Sequence, residues 1–193
     1  YCVACTSGGY ANQLALRACG VMPGDKILAN AYTLAPVPGA IHNVGGVAVL
    51  VDIDSDYHID MADLETKAVE SGAPFLLLSH MRGHIADMDR LAEICERLDI
   101  CMIEDCAHTM GASWRNCRSG NFGKAAAFST QTYKHLNSGE GGFLTTNDPV
   151  VAARAVVSSG SYMLYRRHGA IPAKEVFAEV KLLSPNYSGR MDH

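Results

Sequence analysis

Pro74-Phe75-Leu76-Leu77-Leu78-Ser79-His80, then a helical stretch from Met88 to Leu98, then Ile100-Cys101-Met102-Ile103 running into Glu104-Asp105: this succession decides the fold. The two apolar runs have strand length and lack polar alternation, the mark of strands buried on both faces. With a helix between them they read as consecutive parallel strands of an α/β sheet. The same alternation extends in both directions. Towards the start, Lys26 to Ala29 and the β-branched run Gly46 to Val51 are strands. A helix opens after Ser7-Gly8-Gly9, repeats Ala11, Leu14, Ala15 and Ala18, and ends at Gly20 and Pro23-Gly24-Asp25. Pro36 and Pro38 start a short helix reaching His42, and Asp60 caps another from Met61 to about Ser71. Towards the end, Ala125 to Ser129 and Phe143 to Thr146 are strands, and Pro149 to Ser158 is a helix. Past Ser159 the pattern is mixed, with Tyr165 to Gly169 read as a loop. The expectation is a three-layer α/β/α fold with a mostly parallel sheet.

Bulk composition narrows the function. A chain of 193 residues, 48% hydrophobic, can bury one sizeable core, so residues 1–193 are read as one domain. The net charge of -4, without a Lys/Arg run, argues against nucleic acid or an anionic membrane as partner and leaves small molecules. With no apolar stretch of membrane-spanning length and no secretion signal, the expected location is the cytoplasm. The chain starts at Tyr1 without a methionine, and the expectation is a piece of a longer protein. Its seven scattered cysteines fit a reducing compartment. Cys2-Val3-Ala4-Cys5 has metal or redox spacing but no second pair, so the thiols are read as buried hydrophobes. His80 and His84 are four apart, yet Gly83 between them speaks against the helix that would align them as zinc ligands. No metal site is expected.

In open parallel sheets ligands bind beyond the carboxyl ends of the strands. There the sequence places Tyr32, His80, Arg82, Asp105, His108, Ser129 and Lys134. Ser7-Gly8-Gly9 at a helix start offers amides and a positive dipole end to a phosphate monoester, or is a plain N-cap. Asp105 after a buried strand can hold a heteroaromatic nitrogen protonated, or can cap a helix or pair with a cation. Lys134, in a loop before Gly139-Glu140-Gly141-Gly142, can lose hydration and with it its proton, becoming a neutral nucleophile; alone it reads as a surface lysine. Tyr32 stacks on a planar ring or simply packs. His108 lies near such a ring or serves structure. Ser129 binds phosphate or ends its strand. Arg82 suits a substrate carboxylate or phosphate as well as a surface ion pair, and His80 stands beside it as a further substrate candidate.

These landmarks resemble the DegT/StrS group of sugar aminotransferases, fold-type-I pyridoxal-phosphate enzymes. The resemblance runs through Ser7-Gly8-Gly9, Asp25, Ala31-Tyr32-Thr33, Val51-Asp52-Ile53-Asp54, His58-Ile59-Asp60, His80, Gly83, Ala86-Asp87-Met88-Asp89, Glu104-Asp105, Phe128-Ser129, Lys134, Gly139-Glu140-Gly141-Gly142 and Asn186-Tyr187. It implies that the chain is the large cofactor domain, without the N-terminal segment and small C-terminal domain. It further implies that Lys134 forms a Schiff base with pyridoxal 5'-phosphate and Asp105 pairs with the pyridine nitrogen. Tyr32 would stack on the ring, with His108 close by. Gly8, Gly9 and Ser129 would hold the phosphate, and Asn186 would reach the cofactor phosphate of a partner subunit in a homodimer with shared sites. The implied reaction is ping-pong transamination from glutamate or glutamine to a keto sugar, cyclitol ketone or related acceptor. Gly9 replaces the usual threonine, His135 an asparagine, and Met81-Arg82 the usual Leu-Tyr, departures that bear on phosphate binding and on the substrate. Members with histidine at the lysine position are dehydratases, and Lys134 argues against that. A non-catalytic regulatory member and a metal-dependent glycosyltransferase built on Asp52-Ile53-Asp54 are the rival readings.

Overall fold

Leu76 and Leu77 are both fully buried and face opposite ways, and that alternation builds the molecule. The computed structural model describes residues 1–160, 169–180 and 189–190. Its elements run β1 (Cys2–Cys5), α1 (Gly8–Ala18), β2 (Lys26–Asn30), α2 (Pro36–Asn43), β3 (Val47–Val51), α3 (Met61–Ser71) and β4 (Phe75–Ser79). After a one-turn 3-10 helix, Met81–Gly83, come α4 (Met88–Arg97), β5 (Cys101–Asp105), β6 (Ser113–Trp114), β7 (Cys117–Arg118), β8 (Ala125–Ser129), β9 (Gly142–Thr145), α5 (Pro149–Ser158) and α6 (Lys174–Glu179).

Ile27, Ala29, Leu77 and Ile103 pack on one face of the sheet against α1, α2 and α5. Leu28, Leu76, Leu78 and Met102, their neighbours in sequence, pack on the other face against α3 and α4. The layers are thus the expected α/β/α. The sheet order is β1-β9-β8-β5-β4-β2-β3, with β8, β5, β4, β2 and β3 joined by parallel pairings. The pairings of β9 with β1 and β8 are antiparallel.

Where the sequence was read locally the elements fall within a residue or two of expectation, including the Asp60 cap, whose carboxylate accepts from the Ala62 and Asp63 amides. Among the described residues, β1, the 3-10 turn at Met81–Gly83, the β6–β7 hairpin and α6 lie outside that reading. Because β1 is a strand, Cys2 and Cys5 alternate, one exposed and one buried, and the buried-thiol expectation holds for Cys5 only. The expected loop at Tyr165 to His168 lies outside the described residues, as does Asn186. No helix among the described residues is long and apolar enough to cross a membrane.

The antiparallel pair positions the site. Gly142 of β9 lies opposite both Cys5 of β1 and Ser129 of β8. The chain leaving β1 therefore enters α1 beside the carboxyl end of β8. Contact is close: a Cβ on Gly8 would lie 2.6 Å from Ser129 Cβ, and one on Gly142 would lie 2.5 Å from the Ser7 carbonyl carbon. Only glycine allows the helix start, β8 and β9 to meet this way.

Candidate active site

At that meeting point lies a cavity of about 340 Å³. One end is the start of α1. The Ser7 hydroxyl accepts the Tyr10 N–H at 3.1 Å, and the Ala11 N–H bonds the Ser7 carbonyl at 2.9 Å. The Gly8 and Gly9 amides precede the first intrahelical donor, the Ala11 N–H, so they are free to serve a ligand. Both glycines line the cavity together with Ser7 and Ser129. The helix dipole adds positive potential there.

Asp105 forms the floor. Residue alternation along β5 sends Asp105 to the α1 face and Glu104 to the opposite face. Asp105 Oδ1 accepts the Ala107 N–H at 3.2 Å, and Oδ2 accepts a longer bond of 3.4 Å from the Ser79 hydroxyl, itself bonded by the Thr33 hydroxyl at 2.8 Å. Burial pushes the carboxyl of Asp105 up. The Ala107 amide, the Asn12 side chain, the charge of His80 and the Ser79 hydroxyl pull the other way without overcoming it. Asn12 is almost wholly buried, lines the cavity, and its Oδ1 has no hydrogen-bond partner.

Lys134 enters from the loop between β8 and β9. That loop is laced across its base: the Ser138 N–H bonds the Thr130 carbonyl, the Thr132 N–H bonds the Gly139 carbonyl, and the Lys134 N–H bonds the Gln131 carbonyl at 2.8 Å. Lys134 Nζ lies 2.8 Å from His108 Nε2. Burial lowers the lysine, opposed by Asp105 and assisted by Arg82. Burial also lowers His108, with Lys134, Arg82 and His135 acting in the same direction. Leu34, Pro36, Val37, Met81 and Ala107 provide apolar wall, and Gln131 and Glu140 the remaining polar edge.

The structure thus brings Ser7, Gly8, Gly9, Asp105, His108, Ser129 and Lys134 to one cavity. Three expected residues sit elsewhere. Tyr32 does not line it; its ring packs 5.4 Å from Tyr57, and Leu34, two residues on, provides the wall. His80 is sealed on the far side of the sheet end, 1% exposed, with Nε2 3.1 Å from Glu104 Oε2. Arg82 is exposed and outside the cavity lining, although its main-chain N–H reaches His108 Nδ1 at 3.3 Å. Asn12, Leu34, Gln131 and Glu140 were not singled out from the sequence. Asn12 carried a legible signal, a polar residue beside Ala11 on a helix face of buried alanines and leucines; Leu34 carried none.

His80, Glu104 and Cys106 hold potential metal-ligand atoms within 4.8 Å of one another. The oxygens of Glu104 are, however, engaged by the amides of Gly120, Phe122 and Gly123 at 2.8, 2.8 and 2.7 Å as well as by His80. This carboxylate organises a loop. Asp54 does likewise, accepting from the Asp56 and His58 amides.

An amine, a buried carboxylate and two helix-start amides meet at the carboxyl edge of a mostly parallel sheet, and the fold around them is shared with solved aminotransferases. DesV of S. venezuelae matches at TM-score 0.79 and 31% identity, covering 98% of this chain and 48% of that one. The chain belongs to the DegT/DnrJ/EryC1/StrS aminotransferase family, which matches over residues 1–193. It is 37% identical over 154 residues to the L-glutamine:2-deoxy-scyllo-inosose aminotransferase of Streptomyces kanamyceticus, covering 80% of this chain and 36% of the relative. It is 35% identical over 164 residues to the GDP-perosamine synthase of Caulobacter vibrioides, covering 84% and 44%. The chain therefore spans less than half the length of the curated relatives it matches.

Proposed function

We propose that this chain carries the cofactor-binding part of a pyridoxal-phosphate aminotransferase that moves an amino group from glutamate or glutamine to a cyclitol ketone or nucleotide-linked keto sugar. The observation that carries the reading is the convergence of Lys134, Asp105 and the Gly8–Gly9–Ser129 seat on one cavity. The donor set fits the group. A seat that a Cβ on Gly8 would close suits a phosphate pressed against main chain, and a buried carboxylate suits a protonated ring nitrogen. When bound, pyridoxal phosphate supplies an aldehyde carbon that captures amines and a ring that draws electrons from the carbon being deprotonated.

The side chains supply the rest. The Gly8 and Gly9 N–H groups and the Ser129 hydroxyl bind the phosphate. Asp105, held by Ala107, Ser79 and Asn12, keeps a proton on the ring nitrogen. Lys134 Nζ would provide the attachment and, as a free amine, would be the group that takes up and returns a proton beside the reacting carbon. Leu34, Val37 and Met81 exclude water from the reacting face. The two relatives' names support the donor and acceptor classes. The exposed Tyr133 and Leu136 beside Lys134 support a homodimer with shared sites, to which the expected contribution of Asn186 belongs. Unpaired cysteines support a cytoplasmic setting.

The test uses the full-length protein. Pyridoxal phosphate should bind with a visible absorbance band, and glutamine or glutamate plus a keto acceptor should turn over. Lys134→Ala should abolish both; retention of either rejects the assignment.

A further inference from the structure

We propose that the main-chain N–H of Arg82 fixes the tautomer of His108 so that the imidazole donates to Lys134, which makes the ε-amine a hydrogen-bond acceptor and an uncharged nucleophile before any ligand arrives. This rests on the reading of Lys134 as the attachment point, and deepens it by assigning a positioning role to a peptide group.

The geometry leaves little freedom. A peptide N–H can only donate, and the Arg82 N–H points at His108 Nδ1 from 3.3 Å. Nδ1 must therefore offer its lone pair, and the ring hydrogen resides on Nε2. Nε2 is 2.8 Å from Lys134 Nζ. With Nε2–H as donor, Nζ must accept, and an ammonium has no lone pair with which to do so. The opposite polarity, ammonium donating to Nε2, would need the hydrogen on Nδ1, where it would collide with the Arg82 N–H.

The turn that aims this amide is strained. Arg82 has φ 57° and ψ 16°, a left-handed conformation that a side chain makes unfavourable. It is stabilised by the Gly83 N–H bonding the His80 carbonyl at 3.1 Å and the His84 N–H bonding the Met81 carbonyl at 3.1 Å. Gly83, also at positive φ, lies close under the His108 carbonyl. The surrounding charges divide. The Arg82 guanidinium disfavours a proton on either partner and His135 disfavours one on His108, whereas Asp105 favours the ammonium. Glu140 lines the same cavity, and His80 acts on Asp105 from the far side of the sheet end. Burial tips the balance towards the neutral pair.

Two measurements on the cofactor-free full-length protein test this. Long-range proton–nitrogen correlation NMR should show His108 as the Nε2–H tautomer near neutral pH; the Nδ1–H tautomer or an imidazolium would overturn the proposal. Competitive acetylation with trace acetic anhydride across pH, read by mass spectrometry with Lys174 as internal reference, gives the titration midpoint of Lys134. His108→Phe should raise that midpoint, so that labelling near pH 8 falls several-fold. A lowered midpoint would mean the ammonium had been donating, and an unchanged one that the bond carries no weight; either sinks the idea. Arg82→Gly keeps the N–H and tolerates the turn, so the tautomer should persist. Its loss would assign the effect to the guanidinium instead. If the His108 variant does not fold, the wild-type tautomer decides alone. All these readouts omit cofactor, so they stand apart from whether pyridoxal phosphate attaches at Lys134.

Discussion

Glu104 shows how much one residue can settle. It is 0% exposed and accepts from three amides and pairs with His80, so its charge is dispersed over several donors. Burial acts to raise its pKa, but the bond and charge of His80 and the Gly123 and Gly120 amides outweigh that and hold it below the ordinary value of 4.5. The folded pKa lies below the unfolded one, so the stabilisation is complete above about pH 4.5. It is lost as pH falls through the depressed folded value. Glu104→Gln places an NH2 against donors and should cost about 3 kcal/mol in denaturant melts. It should also flatten the fall in stability with acidification, relative to wild type; an unchanged acid slope would show that Glu104 is not the titrating group. Little of this was legible. Glu104 and Asp105 are adjacent carboxylates at one strand end, and only the strand's alternation tells which one faces the cavity. The sequence reading chose Asp105 from its place past an apolar run, and Asp105 lines the cavity. Tyr32 was chosen on the same ground, but adjacency to a strand end does not fix side-chain direction, and here the ring turns to Tyr57.

Among elements, α1 is the most constrained, because its start is wedged between β8 and β9. Gly8→Ala would drive a Cβ to 2.6 Å from Ser129 Cβ, a contact that backbone movement alone can relieve. The expected cost is about 1–3 kcal/mol, with weakened phosphate-dependent cofactor binding. Thermal melts and cofactor titration check it, and Gly9→Ala, whose Cβ would meet Pro36 Cβ at 3.4 Å, should be milder in both. Equal effects would mean the close approach is not what matters. Element legibility tracked burial. β2, β4, β5 and β8 announce themselves as apolar runs because both of their faces are covered, and Asp60 announces a helix start by its cap. β1 did not, since its four residues gain their identity from pairing with β9 far along the chain. The β6–β7 hairpin, two residues per strand, is too short for any period to register.

At the scale of the whole molecule, the loop between β8 and β9 exposes large apolar side chains. Tyr133 is 89% exposed and Leu136 54%, flanking the residue on which the proposed chemistry depends. In the proposed homodimer these side chains are covered. Light scattering of the full-length protein should report a dimer, and Tyr133→Asp should shift it towards monomer and reduce turnover more at low protein concentration than at high. A monomeric, fully active wild type would remove the dimer from the proposal. The fold class was legible at this scale because strand and helix alternate without interruption; the homodimer came from the resemblance alone, since nothing in the periodicity marks a face as shared.

The pairing of Cys2 with Thr145 and of Cys5 with Gly142 has a temporal consequence. A nascent chain emerging from the ribosome can build the central parallel strands as they appear. The start of α1, however, is brought to β8 and β9 by a pairing that spans some 140 positions, so this corner of the fold forms among the slow, high-contact-order steps of folding.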